Sequence, residues 1–152
     1  MFKNFLKNIF VVGLGLACAY LGMKIDMTLN LQNIITPVAV KLFGVALVIV
    51  GFVIRTSASR QFFLKKLELW KLKAQEKIIT SEIYKHSRNP LYLGILIISI
   101  GSIMIFTSYA GFVGLVCVYL LASFQITKEE KGLALKFGND YLNYKSSVRK
   151  WF

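Results

Sequence analysis

Between residues 84 and 94 the chain reads YKHSRNPLYLG, and further on, at the end of a second apolar run, it reads KEE. The first stretch holds the only His, an Arg, an Asn and one of the two Pro, at the point where an apolar run begins. If the two runs pair as a hairpin, Arg88 and Asn89 become neighbours of Glu129 and Glu130. Ionisable groups at such depth are costly, roughly 2.5–3.5 kcal/mol each near a helix centre and less at its end. Opposed charges gathered there make either a binding pocket or a structural clamp. Other chemistry finds no support in the residue types. His86 has no second His and no carboxylate at ligand spacing, so it reads as a solvated loop residue and no metal site is expected. Residues 13–18, GLGLAC, resemble a truncated dinucleotide fingerprint. They lack the third Gly and a preceding strand, and read as helix packing.

The elements that must position these groups are membrane helices. The chain has 152 residues, one domain's worth, with 56% hydrophobic residues and a formal net charge of +12. Its mean hydropathy is +0.60. A soluble nucleic-acid binder can be this basic but not also this apolar, so no nucleic-acid partner is expected. Four apolar segments stand out, at about 5–23, 34–54, 91–107 and 109–126. Each is long enough as helix, roughly 25–32 Å, to cross a hydrocarbon core of about 30 Å. They carry almost no polar stripe. Residues 1–22 have the charged start and apolar stretch of a signal peptide and are read as an uncleaved anchor. Only TSYAG separates the third and fourth segments, which demands a tight helical hairpin. Gly44 with Gly51, and Gly94 with Gly101, are spaced seven apart and would let backbones approach closely. Cys18 and Cys117 lie in apolar runs without partners at redox spacing and read as packing residues.

The basic residues set the orientation. Of the 19 Lys and Arg, only Lys24 and Lys41 fall on the side opposite both termini and the central segment. The positive-inside rule then predicts that both termini and the central basic loop are cytoplasmic. Within that loop, Phe63, Leu67 and Trp70 recur at helical spacing with Lys65, Lys66, Lys71 and Lys73 beside them, which predicts a helix lying along the interface. The fourth helix is expected to run on through KEE and to stop near Gly138. Leu133, Phe137, Tyr141, Tyr144 and Val148 then form a spaced apolar set, and the tail reads as a short helix folded back on the membrane face. The fold class is therefore an all-α integral membrane protein of about four transmembrane helices, with a cytoplasmic interfacial helix and a C-terminal helical tail. Its single domain, 1–152, divides into a helical pair (1–54), a basic interfacial segment (55–90) and a hairpin with tail (91–152).

Tyr84, then Arg88-Asn89-Pro90-Leu91-Tyr92, a helical hairpin, Glu129-Glu130, and Phe137-Gly138 with Tyr141, Tyr144 and Val148 together resemble a known pattern. It is that of the isoprenylcysteine carboxyl methyltransferase and phospholipid methyltransferase group of membrane enzymes, and the likeness spans about 76–151. The resemblance implies S-adenosylmethionine-dependent methyl transfer to a lipophilic acceptor, with the donor bound on the cytosolic side of the last two spans. Carried over by position, Glu76, Lys77, Ile78, Ile79, Tyr84, Asn89, Pro90, Leu91, Tyr92 and Glu129 would line the donor. Arg88 and Glu130 would be near neighbours and the candidates for catalysis. Two positions depart from the pattern. The family's usual His is Asn89, which hydrogen-bonds but carries no proton. The Arg that faces a substrate carboxylate in the prenylcysteine enzymes is Gln125, a weak substrate candidate that argues against a prenylcysteine carboxylate. Other readings of the same pattern are a non-catalytic membrane assembly factor or subunit, and a membrane reductase. The acceptor and the oligomeric state are not set by the sequence.

Overall fold

The computed structural model describes residues 2–31, 37–64 and 78–151, without the side chains of residues 2, 3, 62 and 63. The predicted interfacial helix lies outside these residues from 65 onward, as do Glu76 and Lys77; its first residues, up to Leu64, belong to the second helix. Five α-helices follow in order: α1 (Phe2–Thr28), α2 (Val38–Leu64), α3 (Pro90–Phe106), α4 (Tyr109–Phe137) and α5 (Asn139–Ser147), with a 3-10 turn at Glu82–Lys85. Among the described residues all regular structure is helical, and α1, α2 and α4 are long and apolar enough to cross a membrane. The protein is an all-α integral membrane protein. At 17 residues, α3 is shorter, about 25 Å.

Helix ends follow from local chemistry. Pro90 opens α3 at a position where its missing N–H costs nothing. Thr107 closes α3 in the left-handed region, at φ 48°. Ser108 immediately caps α4, its hydroxyl accepting from the Gly111 N–H at 2.9 Å. Two residues therefore make the whole hairpin turn. As expected, α4 continues past its apolar stretch and ends at Gly138, whose φ of 53° suits a residue without Cβ. The second helix runs ten residues beyond its apolar segment, to Leu64. No Gly or Pro interrupts that extension. Thr56 and Ser59 satisfy their hydroxyls on carbonyls of the same helix.

The two glycine pairs pack against each other across the antiparallel α2–α3 contact. A Cβ on Gly101 would lie 2.5 Å from the Gly44 carbonyl oxygen, and one on Gly51 would lie 2.9 Å from that of Gly94. Backbone thus touches backbone at both levels. The first helix lies across the other three. At one end the Asn8 amide donates to Ser59 Oγ at 2.8 Å. At the other, the fully buried Asp26 carboxylate accepts from the Tyr109 and Ala110 N–H groups at 2.8 and 3.0 Å. The start of α1, the end of α2, the start of α3 and the polar end of α4 therefore share one end of the bundle. Cys18 and Cys117 are both exposed on the outer faces of α1 and α4 rather than packed inside.

Candidate active site

The hairpin brings the two polar stretches together. Just before α3, Arg88 reaches Glu130 on α4: Nε and Nη2 both lie 3.1 Å from Oε1. Lys145 Nζ stands 3.3 Å from the other carboxylate oxygen. Nη1 and the backbone N–H of Arg88 go to the tail. Nη1 donates to the carbonyls of Lys145 and Val148 at 2.7 and 2.6 Å, and the backbone N–H donates to that of Arg149 at 3.0 Å. Asn89 Nδ2 donates to the Lys150 carbonyl at 3.1 Å. This is a clamp of charge-assisted bonds on a segment that has left helical pairing and whose carbonyls need donors.

Glu129, one residue earlier, points elsewhere. Its Oε1 accepts from the Tyr92 hydroxyl at 2.7 Å and from Gln125 Nε2 at 2.8 Å. Oε2 accepts nothing among the described residues, and the side chain is half-buried. A carboxylate held in place by two donors on one oxygen, with the other open, can take a cationic group. Adjacent residues on a helix lie about 100° apart, as 3.6 residues per turn requires, which is why neighbouring acids serve such different surroundings.

The wall beside Glu129 is apolar. Ala58, Ile79 and Tyr84 form a buried cluster, with Ile83 and Leu91 packed on it. Ile78 is half-buried, and Pro90 is buried. The Tyr84 carbonyl accepts from the Tyr144 hydroxyl at 2.7 Å, so α5 is tied to the same loop. Tyr141 is buried beside Tyr144, and burial pushes its phenol up to about 12. Burial likewise raises the phenols of Tyr84 and Tyr144. His86 is exposed.

Expected together and found together are Ile79, Tyr84, Leu91, Tyr92, Gln125 and Glu129, with Arg88, Asn89 and Glu130 on the tail side. Two features escape a reading of the sequence. The tail is held through backbone carbonyls, which no residue type signals. Arg55, counted above among loop charges, is buried within α2, and its Nη1 donates to the Leu91 carbonyl at 3.0 Å. A charge inside a long helical run was the available signal.

With the geometry in place, comparison with known proteins decides the family. A family model described as phospholipid methyltransferase matches residues 40–140. The chain belongs to the phospholipid methyltransferase family. That match takes in both glycine pairs, the hairpin and both Glu residues. Among curated proteins, protein-S-isoprenylcysteine O-methyltransferase B of Arabidopsis thaliana is 29% identical over 109 residues, covering 70% of this chain and 55% of that protein. Its A counterpart from the same plant is 32% identical over the same shares. An uncharacterised protein of Haemophilus influenzae is 34% identical over 62 residues, 40% of this chain and 98% of its own length. The chain thus spans about half the length of the two plant methyltransferases. No solved structure matches it.

Proposed function

We propose that this member of the phospholipid methyltransferase family transfers a methyl group from S-adenosylmethionine to a lipophilic acceptor at the cytoplasmic face of a membrane. The observation that carries this reading is Glu129, fixed through Oε1 by Tyr92 and Gln125 with Oε2 left open. The residues present fit the donor. Glu129 Oε2 takes its ammonium group. Asn89, whose amide nitrogen is committed to the tail, turns its carbonyl oxygen to a donor N–H or hydroxyl. Ile78, Ile79, Tyr84, Leu91 and Tyr92 supply the apolar wall for the nucleoside, and Pro90 opens the helix behind it. Glu76 and Lys77 belong to the same stretch of chain.

Bound there, S-adenosylmethionine supplies a methyl group already activated by its sulfonium charge. The protein's share is positioning and exclusion of water. Gln125 and Tyr92 orient Glu129. Arg88 and Glu130 act through the tail, which they hold over the mouth of the hairpin, and are positioning residues. The site's place at a helix lip suits a polar donor arriving from water and an acceptor arriving sideways from lipid. Acceptor classes compatible with it are a phospholipid amine, an isoprenoid or other small lipophile, and a thiol or carboxylate on a lipidated molecule. The cytoplasmic orientation rests on the positive-inside rule: only Lys24 and Lys41 of the 19 Lys and Arg fall in the segments assigned to the opposite side.

The test is incubation of the purified protein with methyl-labelled donor and a membrane lipid extract, followed by mass analysis of the lipids. Label in one lipid class, lost with Glu129→Ala, is expected. No label in any lipid, from protein that also fails to bind S-adenosylhomocysteine, overturns the reading.

A further inference from the structure

Arg55 is a buried cation with no part in the tail clamp or in the holding of Glu129. It is 7% exposed. Its guanidinium stays charged at every accessible pH and offers five N–H donors. Among the described residues it meets no carboxylate, and its one hydrogen bond is the neutral Leu91 carbonyl. Its Nε–H is buried without an acceptor. A charge in this state is a standing cost unless something brings an anion to it. The neighbourhood is the site itself. Leu91 is in the first turn of α3, and Gly94 lets that turn press against Arg55: a Cβ there would lie 3.0 Å from Arg55 Cβ. Tyr92, which holds Glu129, and Tyr84 both lie within electrostatic range of the guanidinium. Arg88 is not available for the same task, because Glu130 and the tail carbonyls of Lys145 and Val148 already engage its guanidinium.

We propose that Arg55 binds an oxyanion of a ligand, carboxylate or phosphate, at the site whose anionic group is Glu129. The inference rests on the reading of this region as a methyl-transfer site. A cation and an anion that both lie near Tyr92, each with an unmet hydrogen-bonding position and neither paired with the other, suit a ligand that brings both signs. Two sources of the anion share this chemistry: the amino-acid carboxylate of the donor, and the acidic head of a lipophilic acceptor. Arg55→Met fills the same volume without charge, and Arg55→Gln keeps a donor for Leu91.

The experiment measures binding to the full chain in phosphatidylcholine nanodiscs. One arm compares S-adenosylhomocysteine with methylthioadenosine, which lacks the amino-acid part. The other compares oleate with its methyl ester. If the donor supplies the anion, Arg55→Met weakens S-adenosylhomocysteine about tenfold, the worth of one charge-assisted hydrogen bond, and leaves methylthioadenosine unchanged. If the acceptor supplies it, S-adenosylhomocysteine is unaffected, while the wild-type preference for oleate over the ester disappears in the variant. Removal of an unpaired buried charge should leave the apoprotein melting at or above the wild-type temperature. Should Arg55→Met fail to fold, Arg55→Gln gives the same readout. Unchanged binding in both arms overturns the proposal. A wild-type protein that ignores S-adenosylhomocysteine sinks the methyl-transfer reading instead, and the oleate arm then decides Arg55 alone.

Discussion

Arg88 and Glu130 form a nearly buried ion pair in which two guanidinium nitrogens share one carboxylate oxygen, each at 3.1 Å. The side chains are 10% and 11% exposed, so solvent screens the pair little. Removing one partner strands the other. Arg88→Ala should therefore cost about 3–5 kcal/mol in thermal or denaturant unfolding, and should expose the tail after Lys145 to trypsin. Lys145→Ala, at the exposed edge of the same carboxylate, should cost only about 0.2–1 kcal/mol. Equal losses for the two variants would show that the clamp is not the buried pair.

The glycine contacts make a second, steric prediction. A Cβ on Gly101 meets the Gly44 carbonyl oxygen and, at 2.9 Å, the Val48 amide nitrogen, both backbone atoms that cannot swing away. Gly101→Ala should destabilise the bundle by about 1–3 kcal/mol through forced separation of α2 and α3. Gly114 has open space around it, so Gly114→Ala should gain about 0.5–1 kcal/mol from helix propensity. Melting of the two variants in one detergent checks both signs.

Asp26 fastens the far end of the hairpin to α1. Its carboxylate serves the N–H groups that open α4 and have no partner within the helix, where the helix dipole also favours a negative charge. Asp26→Ala should cost about 1–3 kcal/mol of stability. Because Asp26 is at the end of the bundle away from Glu129, affinity for S-adenosylhomocysteine in the folded fraction should not change. A large affinity loss with unchanged melting would contradict this division of labour.

Docking of α5 should fail in strong base. The Tyr141 phenol is raised by burial from 10.0 to about 12, so the folded state favours the neutral form. That contribution is complete below about pH 10 and is lost as pH rises through about 12. Ultraviolet titration of the phenolates should show a group of tyrosines ionising late, together with release of the tail. Ionisation of all tyrosines at the ordinary value, with the tail still protected, would refute it.

What the sequence shows of this protein is its backbone plan. Apolar runs, Pro90, the short turn and Gly138 mark helix bodies and ends, because each acts on local backbone geometry. The glycines announce a close contact, and the structure supplies which pairs meet. Arg88 beside Glu130, and Tyr92 beside Glu129, follow once the hairpin is drawn. Helix ends were less legible where polar residues continue a helix, as from Arg55 to Leu64. Such residues are compatible with loop and helix alike, and neighbouring elements decide between them. For the same reason Arg55 passed for a loop charge. The tail's anchorage was invisible, since Ser87, Arg88 and Asn89 bind carbonyls that every residue possesses.

The central claim is that Glu129, open at Oε2, receives the cationic end of the methyl donor. Calorimetric binding of S-adenosylhomocysteine to the purified chain and to Glu129→Ala tests it most directly. The account predicts saturable binding by the wild type and affinity at least about tenfold weaker in the variant, the worth of a charge-assisted hydrogen bond, with melting little changed. Equal affinity in the two proteins, or no binding by the wild type, would contradict it.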